Sequence, residues 1–222
     1  MDLFEVKGVR ECIIRKRVNK FVVEVMIDDS IELTHINNTG RLQQWLYPNK
    51  IGFCYRIDGE KLRYRLFAVE YKDLAVILDT YIHMKSFEYL INKRIILGKC
   101  NIVKRNINFY GALFDYLLDC GVAEIKSATF KSGEFAEYPD TRSKRGERHI
   151  KILKKLSQEG YTTYLVFVSG IPDVLKFRIN NIYGKIISKL LKDSNINLLS
   201  YSIGYDPDTQ YIKYIRKLNV FI

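Results

Sequence analysis

Three ionisable residues, Asp115, Glu124 and Lys126, interrupt two strand-like runs that are otherwise mostly apolar. Glu124 and Lys126 are two residues apart and therefore project from the same face of a strand. Two carboxylates that converge on one point supply hard oxygen ligands for Mg²⁺ or Mn²⁺. Such a cation polarises a phosphodiester and lowers the pKa of a bound water, and a nearby lysine stabilises charge in the transition state. The set predicts a metal-dependent nuclease-type site in which Asp115 and Glu124 are the metal ligands.

The face on which Asp115 lies depends on the turn between the two runs, because strand side chains alternate between faces. A two-residue loop at Asp119-Cys120 would put Asp115 directly opposite Glu124. A two-residue loop at Cys120-Gly121 would put it opposite Lys126, and an odd-numbered loop without a bulge would send it to the other face. The alternative for this hairpin is a solvated Glu124–Lys126 pair that binds no metal.

Glu88 is the candidate for a third carboxylate, because a preceding helix often contributes one to such a site. It lies in the segment from Lys85 to Lys93, whose apolar residues recur with helical spacing. We expect Glu88 either to approach Asp115 and Glu124 as a further catalytic residue or to be an ordinary exposed helical glutamate.

Seven Lys and Arg residues and a single acidic residue lie between Arg142 and Lys155, at the start of a predicted helix. Such cations bind phosphates together with the free amides of a helix N-terminus. His149 can donate to a phosphate or shuttle a proton. Arg41 lies in the first half, where arginines and aromatic residues are interleaved as in surfaces that stack single-stranded bases. Unless the run is simply a solvated helix face, the predicted DNA contacts are Arg41, Arg142, Lys144, Arg145, Arg148 and His149.

The net charge of +11 is concentrated in the second half of the chain. Residues 1–78 contain 13 Lys and Arg against 11 Asp and Glu, whereas residues 79–222 contain 23 against 14. A basic excess of this size attracts polyanions by counterion release, and DNA or RNA is the usual partner. A Lys- and Ile-rich composition that follows genome bias or a hot habitat would produce a similar excess.

Composition and cysteine usage favour a cytoplasmic globular protein with no membrane partner. Hydrophobic residues make up 47% of the sequence, and the longest uncharged stretch, Gly160 to Pro172, is too short to span a bilayer. The N-terminus has no basic cluster followed by an apolar run, so no signal peptide is predicted. The four cysteines are scattered without metal-ligand spacing, which predicts free, reduced thiols.

The elements divide near residue 78. Short β-branched runs separated by turn signals such as Asp28-Asp29-Ser30 and Asp58-Gly59 predict a small barrel of the oligonucleotide-binding (OB) type over residues 1–78. Residues 79–222 alternate strands with helices, among them a helix from about Ser143 to Gln158 and another from Ile182 to Leu191. This order predicts a C-terminal α/β domain, and hence an α+β or α/β chain overall.

Taken together, these segments resemble the sugar fermentation stimulation protein family. Residues 35–41 read H-I-N-N-T-G-R, which is similar to that family's H-x-x-N-T-G-R signature. Further matches in family order are Leu78-Asp79-Thr80, Tyr110-Gly111, Phe114-Asp115-Tyr116, Glu124-Ile125-Lys126, Tyr138-Pro139-Asp140, Arg145-Gly146, His149 and Asp173 to Phe177.

The resemblance implies an OB-type barrel joined to a domain similar to PD-(D/E)xK nucleases, with Asp115, Glu124 and Lys126 on the nuclease motif. It also implies non-specific DNA binding and a regulatory link to sugar (maltose) metabolism. The chain departs from the family pattern in places: Lys104-Arg105-Asn106 stands where an acidic residue is usual, Ala112-Leu113 replaces a Ser-Arg pair, and Tyr138 replaces a Phe. These departures affect how DNA would be held beside the metal.

Three hypotheses follow from the sequence. The first is a DNA-binding protein with a Mg²⁺- or Mn²⁺-dependent nuclease site. The second is a non-catalytic DNA-binding regulator that keeps a nuclease-like fold, since a fold does not entail an activity. The third is an RNA-binding or carbohydrate-linked factor. The charge asymmetry and the resemblance favour DNA over RNA, and the sequence leaves homo-oligomers open.

Overall fold

A computed structural model describes residues 1–192 and 194–222 of the chain. The helices within these residues are α1 (Thr80–Asn92), α2 (Lys144–Gln158) and α3 (Lys185–Lys192). The strands are β1 (Asp2–Glu5), β2 (Val9–Arg17), β3 (Val22–Ile27), β4 (Ser30–His35), β5 (Ile51–Arg56), β6 (Tyr64–Val69), β7 (Val76–Ile77), β8 (Ile102–Phe109), β9 (Ala112–Leu118), β10 (Gly121–Ser127), β11 (Phe130–Ser132), β12 (Phe135–Tyr138), β13 (Thr163–Ser169), β14 (Lys176–Ile179), β15 (Asn197–Asp206), β16 (Tyr211–Lys217) and β17 (Asn219–Phe221).

The N-terminal half forms a closed barrel of five strands. The order is β4-β3-β2-β5-β6, and a parallel pairing between β4 and β6 closes the sheet on itself. The β3–β4 turn contains Asp28 and Asp29, both at positive φ, as the tight turn between two paired strands requires. Alternate residues of β3 (Val23, Val25 and Ile27) are buried in the barrel. The OB-type barrel predicted from the sequence is confirmed.

The second half is an α/β domain built on a seven-stranded mixed sheet with the order β1-β16-β15-β13-β10-β9-β8. The central strands β10, β13 and β15 are parallel. Helix α1 packs on one face of the sheet, where Phe87 and Leu90 share a core cluster with Tyr116 and Tyr201. Helices α2 and α3 share the other core cluster with opposite-face residues such as Phe114. This arrangement confirms the predicted α/β domain.

The helices show how local sequence sets their ends. Asp79 caps α1 by accepting from the Tyr81 amide at 2.6 Å, so the helix begins five residues before the predicted start at Lys85. Helix α2 begins after Ser143, whose hydroxyl accepts from the Gly146 amide at 3.0 Å, in agreement with the sequence. Helix α3 begins at Lys185 rather than at Ile182. None of these helices, within residues 1–192 and 194–222, has the length and apolarity needed to cross a membrane.

Two features of the strand pairing were not predicted from the sequence. Strand β1 pairs antiparallel with β16 and so lies at the edge of the C-terminal sheet, outside the barrel half to which residues 1–78 were assigned. Strands β11, β12, β14 and β17 form a separate four-stranded sheet. The barrel and the second half also contact each other through Trp45, whose indole Nε1 donates to the Thr129 carbonyl at 2.6 Å.

A disulfide joins Cys100 and Cys120, whose Cα atoms are 5.5 Å apart. The prediction that all four cysteines are free therefore does not hold for this pair, although Cys12 and Cys54 are free and buried. The cause is the β8–β9 register, in which Ile102 lies opposite Leu118 and the two cysteines lie just beyond that pair. Strand β8 alternates weakly and was not predicted, so the proximity was not visible in the sequence.

Candidate metal centre and nucleic-acid cleft

The β9–β10 hairpin brings Asp115 and Glu124 together. Its register pairs Leu118 with Gly121 and Tyr116 with Ala123, which leaves a two-residue loop and places Asp115 opposite Glu124. Asp115 Oδ2 accepts from the Ile125 amide at 2.7 Å, and the Asp115 amide donates to Glu124 Oε2 at 3.4 Å. Of the registers that the sequence left open, the structure has the loop at Asp119-Cys120.

Glu124 is only 2% exposed, and its carboxylate is held from two sides. Lys126 Nζ donates to Glu124 Oε1, and His149 Nδ1 lies 2.6 Å from the same oxygen. Burial opposes ionisation of Glu124, but the charge of Lys126 and the hydrogen bond from His149 outweigh it and lower the pKa of Glu124. Burial lowers the pKa of Lys126, but the negative charge of Glu124 outweighs this effect, so the pKa of Lys126 is raised. Glu124 and Lys126 are therefore ionised together.

Asp115 is in a less favourable position for its charge. Burial, and then the charge of Glu124, raise the pKa of Asp115 to about 7. Two carboxylates whose mutual repulsion is only partly offset by their protein partners are the donor set that a divalent cation stabilises. The residues present thus fit Mg²⁺, Mn²⁺ or Ca²⁺, with Asp115 and Glu124 as the side chains that would hold the ion.

His149 contacts the candidate metal ligand Glu124 from the protein interior. It is 4% exposed, its ring packs against Phe114 with centroids 5.2 Å apart, and its Nδ1 is bonded to Glu124. The predicted phosphate contact by His149 is therefore corrected: the side chain is buried in the protein and orients Glu124 instead. The helical spacing of α2 could have shown this, since His149 lies on the same side as the buried Ile150 and Leu153.

We expect His149→Ala to lower Ca²⁺ affinity by roughly 10- to 100-fold, the usual effect of losing a group that orients a metal ligand. DNA affinity in EDTA should be unchanged, because the side chain does not reach solvent. Calorimetry and fluorescence anisotropy measure the two quantities. Arg145→Ala should lower DNA affinity in EDTA and leave Ca²⁺ affinity unchanged. A loss of DNA affinity in EDTA in His149→Ala would instead indicate that His149 contacts DNA directly.

Glu88 does not join the other two carboxylates. Its Oε1 accepts from the Tyr116 hydroxyl at 2.8 Å and its Oε2 from Arg105 Nη2 at 2.6 Å. Tyr116 follows Asp115 in β9 and therefore projects from the opposite face of the strand. The structure places Glu88 on the α1 side of the sheet, away from Asp115 and Glu124.

A cleft of about 830 Å³ opens above the carboxylates, between the barrel and the α/β domain. Of the predicted DNA contacts, Arg41, Arg142 and Arg145 line it. Lys144 and Arg148 do not line this cleft, and Arg148 Nη2 donates to the Gly111 carbonyl at 3.0 Å. Lysines and arginines from both halves of the chain thus surround a floor that contains Asp115, Glu124 and Lys126.

Arg17 and Asp140 hold the barrel loop at the rim of this cleft. The sequence did not single out Arg17, and it noted Asp140 only within the Tyr138-Pro139-Asp140 match, without a role. Arg17 donates to the carbonyls of Asn38, at 3.0 Å, and Arg41, at 2.6 Å. Asp140 Oδ2 accepts from the Leu42 amide at 3.1 Å. A Cβ on Gly40 would lie 2.8 Å from Asp140 Oδ1 and closer still to Oδ2. A side chain at position 40 would therefore displace the Asp140 carboxylate from its present contact with the barrel loop.

We expect Gly40→Ala to lower the free energy of unfolding by about 1–3 kcal/mol, the range for overpacking a closed contact. In Gly40→Ala/Asp140→Ala the carboxylate is absent, so the alanine methyl has space and the two losses should not add. Denaturant unfolding of the four proteins of this cycle gives the coupling. Strictly additive losses would mean that Gly40 does not depend on Asp140.

Ser127 lies at the end of β10 and lines the cleft beside Lys126. Its Oγ is 2.7 Å from His83 Nδ1, and His83 Nε2 is 3.2 Å from the Ile77 carbonyl. Burial lowers the pKa of His83 to about 4, so the ring is neutral at pH 7. Because the carbonyl can only accept, the ring proton is on Nε2 and Nδ1 accepts from the Ser127 hydroxyl. Ser127 thus keeps oxygen lone pairs available to the cleft.

Comparison with known proteins agrees with this architecture. Residues 16–78 match the family model described as the SfsA N-terminal OB domain, and residues 81–209 match the Sugar fermentation stimulation protein RE domain. The chain belongs to the sugar fermentation stimulation protein family. Members similar to it include the homologs from Pyrococcus furiosus, 40% identical over 87% of each chain, and Archaeoglobus fulgidus, 35% identical over 92% of this chain and 93% of the relative. The family resemblance found in the sequence is thereby confirmed.

A solved structure of a family member, Pyrococcus furiosus SfsA in complex with Ca²⁺, is similar over the full length of both chains. The TM-score is 0.96 at 36% sequence identity. The barrel and the α/β domain therefore have the same arrangement in both proteins. The Ca²⁺ complex is a property of that family member.

Proposed function

We propose that this family member binds DNA in the cleft, with little sequence preference, and hydrolyses phosphodiester bonds there with Mg²⁺ or Mn²⁺. The observation that carries the proposal is the set of Asp115, Glu124 and Lys126, which come from two neighbouring strands and meet at the floor of a basic cleft. We compare this set with the carboxylate–carboxylate–lysine motif of PD-(D/E)xK nucleases, whose chemistry it would share.

Each residue of the floor has a role in this chemistry. Asp115 and Glu124 would hold a divalent cation, which supplies the charge that polarises the scissile phosphate and activates water. Lys126, kept charged by Glu124, stabilises the negative charge that develops on the phosphate oxygens. His149 keeps the Glu124 carboxylate in one orientation.

The rim of the cleft accounts for binding without sequence readout. Arg41, Arg142 and Arg145 come from different segments but line one cavity. Guanidinium groups bind phosphate oxygens, which carry no base sequence. We expect the logarithm of the DNA affinity to fall linearly with the logarithm of salt concentration, with a slope of roughly −0.9 for each phosphate neutralised.

The alternative is a non-catalytic DNA-binding regulator linked to sugar (maltose) metabolism, with the same cleft and no hydrolysis. One observation favours it: Lys126 and His149 both bond to Glu124 Oε1, so the carboxylate is well satisfied by the protein. A metal ligand in an active nuclease would have to share these contacts with the ion.

The experiment that decides between them measures binding and cleavage on the same DNA. Fluorescence anisotropy in Ca²⁺ reports binding of duplex and single strands, and gel assays in Mn²⁺, Mg²⁺ or EDTA report cleavage. Cleavage that requires Mn²⁺ or Mg²⁺ supports the nuclease. Binding without cleavage in any cation would favour the non-catalytic DNA-binding regulator. Absence of DNA binding at low salt would contradict both the nuclease and the regulator.

A further inference from the structure

Arg41, at the rim of the cleft, contacts the turn that precedes helix α3. Arg41 lines the cleft and also contacts Tyr183, with its guanidinium carbon 5.6 Å from the ring centroid. Arg41 Nη1 lies 3.4 Å from the Tyr183 hydroxyl. Tyr183 precedes helix α3 by two residues. The cleft and the helix are thus connected through one arginine–tyrosine contact.

The turn that carries Tyr183 is fixed by a buried asparagine. Asn180 Oδ1 accepts from the amides of Ile182 and Tyr183, both at 2.9 Å, and Asn180 Nδ2 donates to Glu137 Oε2 at 2.5 Å. At the end of the turn, a Cβ on Gly184 would lie 2.7 Å from the Asn180 carbonyl oxygen. These contacts stabilise the turn, in which Ile182 is 74% exposed beside Tyr183.

Helix α3 presents three exposed lysines on one face. Lys185, Lys189 and Lys192 have i, i+4 and i+7 spacing, which aligns them along the helix, while Ile187 and Leu191 are buried against the core. The lysines line a groove of about 370 Å³ together with Asn180, Asn181 and Ser188. Among the residues that the structure describes, no acidic side chain lines this groove.

We propose that a DNA strand leaving the cleft continues past Arg41 and Tyr183 and is bound through its phosphates by Lys185, Lys189 and Lys192. This proposal rests on the proposed function, because it extends the same DNA. At about 1.5 Å per helical residue, the first and last of the three lysines are about 10 Å apart along the axis. One DNA strand has a phosphate every 3.4 Å of its axis, so the lysine face spans about three phosphates.

The chemistry of the groove favours a phosphate backbone. Lysine binds phosphate as a point charge without geometric selection, and amide and hydroxyl groups such as those of Asn181 and Ser188 are common phosphate donors. The groove is linked through the Arg41–Tyr183 contact to a cleft whose own cations suit the same polyanion. The exposed Ile182 and the half-buried Tyr183 offer apolar surface to a base or sugar at the junction.

The test compares long and short DNA in Ca²⁺. The variant is Lys185→Gln/Lys189→Gln/Lys192→Gln, and the matched control removes the same charge from three exposed lysines outside both the cleft and the groove, as Lys7→Gln/Lys93→Gln/Lys99→Gln. Anisotropy titrations over a range of salt use duplexes of about one and about three helical turns, or roughly 10 and 30 base pairs.

We expect the α3 variant to bind the long duplex about 10²-fold more weakly near 0.1 M salt, with a salt slope less negative by roughly 2 to 3. Its affinity for the short duplex should fall less, because fewer phosphates of a short duplex bound at the cleft extend past Arg41 to helix α3. Long-duplex affinity that is unchanged, or lowered equally in the control, would overturn the α3 contact and leave the proposed function standing. If the wild-type protein bound neither duplex, the proposed function would fail with it.

Discussion

Glu124→Gln is expected to eliminate cation-dependent DNA cleavage while preserving the fold. The amide has the shape of the carboxylate and can still accept from Lys126 and His149, whose atoms already contact Oε1. The variant lacks the negative charge that a divalent cation requires. Because metal-assisted catalysis contributes several kcal/mol to such reactions, we expect the rate to fall by about 10³-fold or more at 1.36 kcal/mol per factor of ten.

The matched control for this variant is Glu88→Gln, since the sequence proposed Glu88 for the same site and the structure places it against Tyr116 and Arg105. It should retain cleavage. Asp115→Asn should behave like Glu124→Gln, because the asparagine oxygen can still accept from the Ile125 amide. Ca²⁺ calorimetry and gel assays in Mn²⁺ measure binding and turnover. Unchanged Ca²⁺ binding in both Glu124→Gln and Asp115→Asn would show that the cation lies elsewhere.

Lys126→Gln is expected to lower the rate of cleavage at saturating DNA by about 10²- to 10³-fold, the usual loss when one transition-state donor is removed. Its ammonium bonds to Glu124 on the cleft floor, so its charge acts on the reacting phosphate and contributes little to the grip on the rest of the DNA. DNA affinity in Ca²⁺ should therefore change only a few-fold.

Lys20→Gln provides the contrast, because Lys20 lines the same cleft but is exposed and belongs to the barrel half. It should weaken binding slightly and leave the saturated rate unchanged. Circular dichroism is needed alongside, since Lys126→Gln deprives the buried Glu124 of its principal counterion, whereas Lys126→Arg keeps the charge. Equal saturated rates in wild type and Lys126→Gln would exclude a chemical role for the lysine.

The sequence predicted that Asp115, Glu124 and Lys126 would lie close together because side chains alternate between the two faces of paired strands. Once the turn at Asp119-Cys120 is known, the positions of Asp115, Glu124 and Lys126 on one face follow from a period of two. The choice between turns could not be made from composition, since both two-residue loops are short and polar. In the structure, the pairing of Leu118 with Gly121 and of Tyr116 with Ala123 sets the loop at Asp119-Cys120.

Residues on helices were predicted less well, because their neighbours are distant in sequence. Glu88 has helical spacing, but only the fold shows that α1 packs on the face of the sheet that carries Tyr116. His149 belongs to a basic run and was grouped with its cations, whereas the buried side of α2 turns it towards Glu124. Asp140 acts on a loop of the other domain, and Arg17 acts on a loop of its own barrel that is 21 or more residues away in sequence. Neither contact is visible from local spacing.

The position of β1 at the edge of the C-terminal sheet affects how the chain folds and where it can be truncated. Its partner β16 lies about two hundred residues further along the chain, so this pairing is among the most non-local in the molecule and is expected to form late in folding. The barrel is in effect an insertion between the first strand of a sheet and the remainder of that sheet. A fragment cut at residue 78 would leave one side of β16 without its partner, and unpaired strand edges promote self-association.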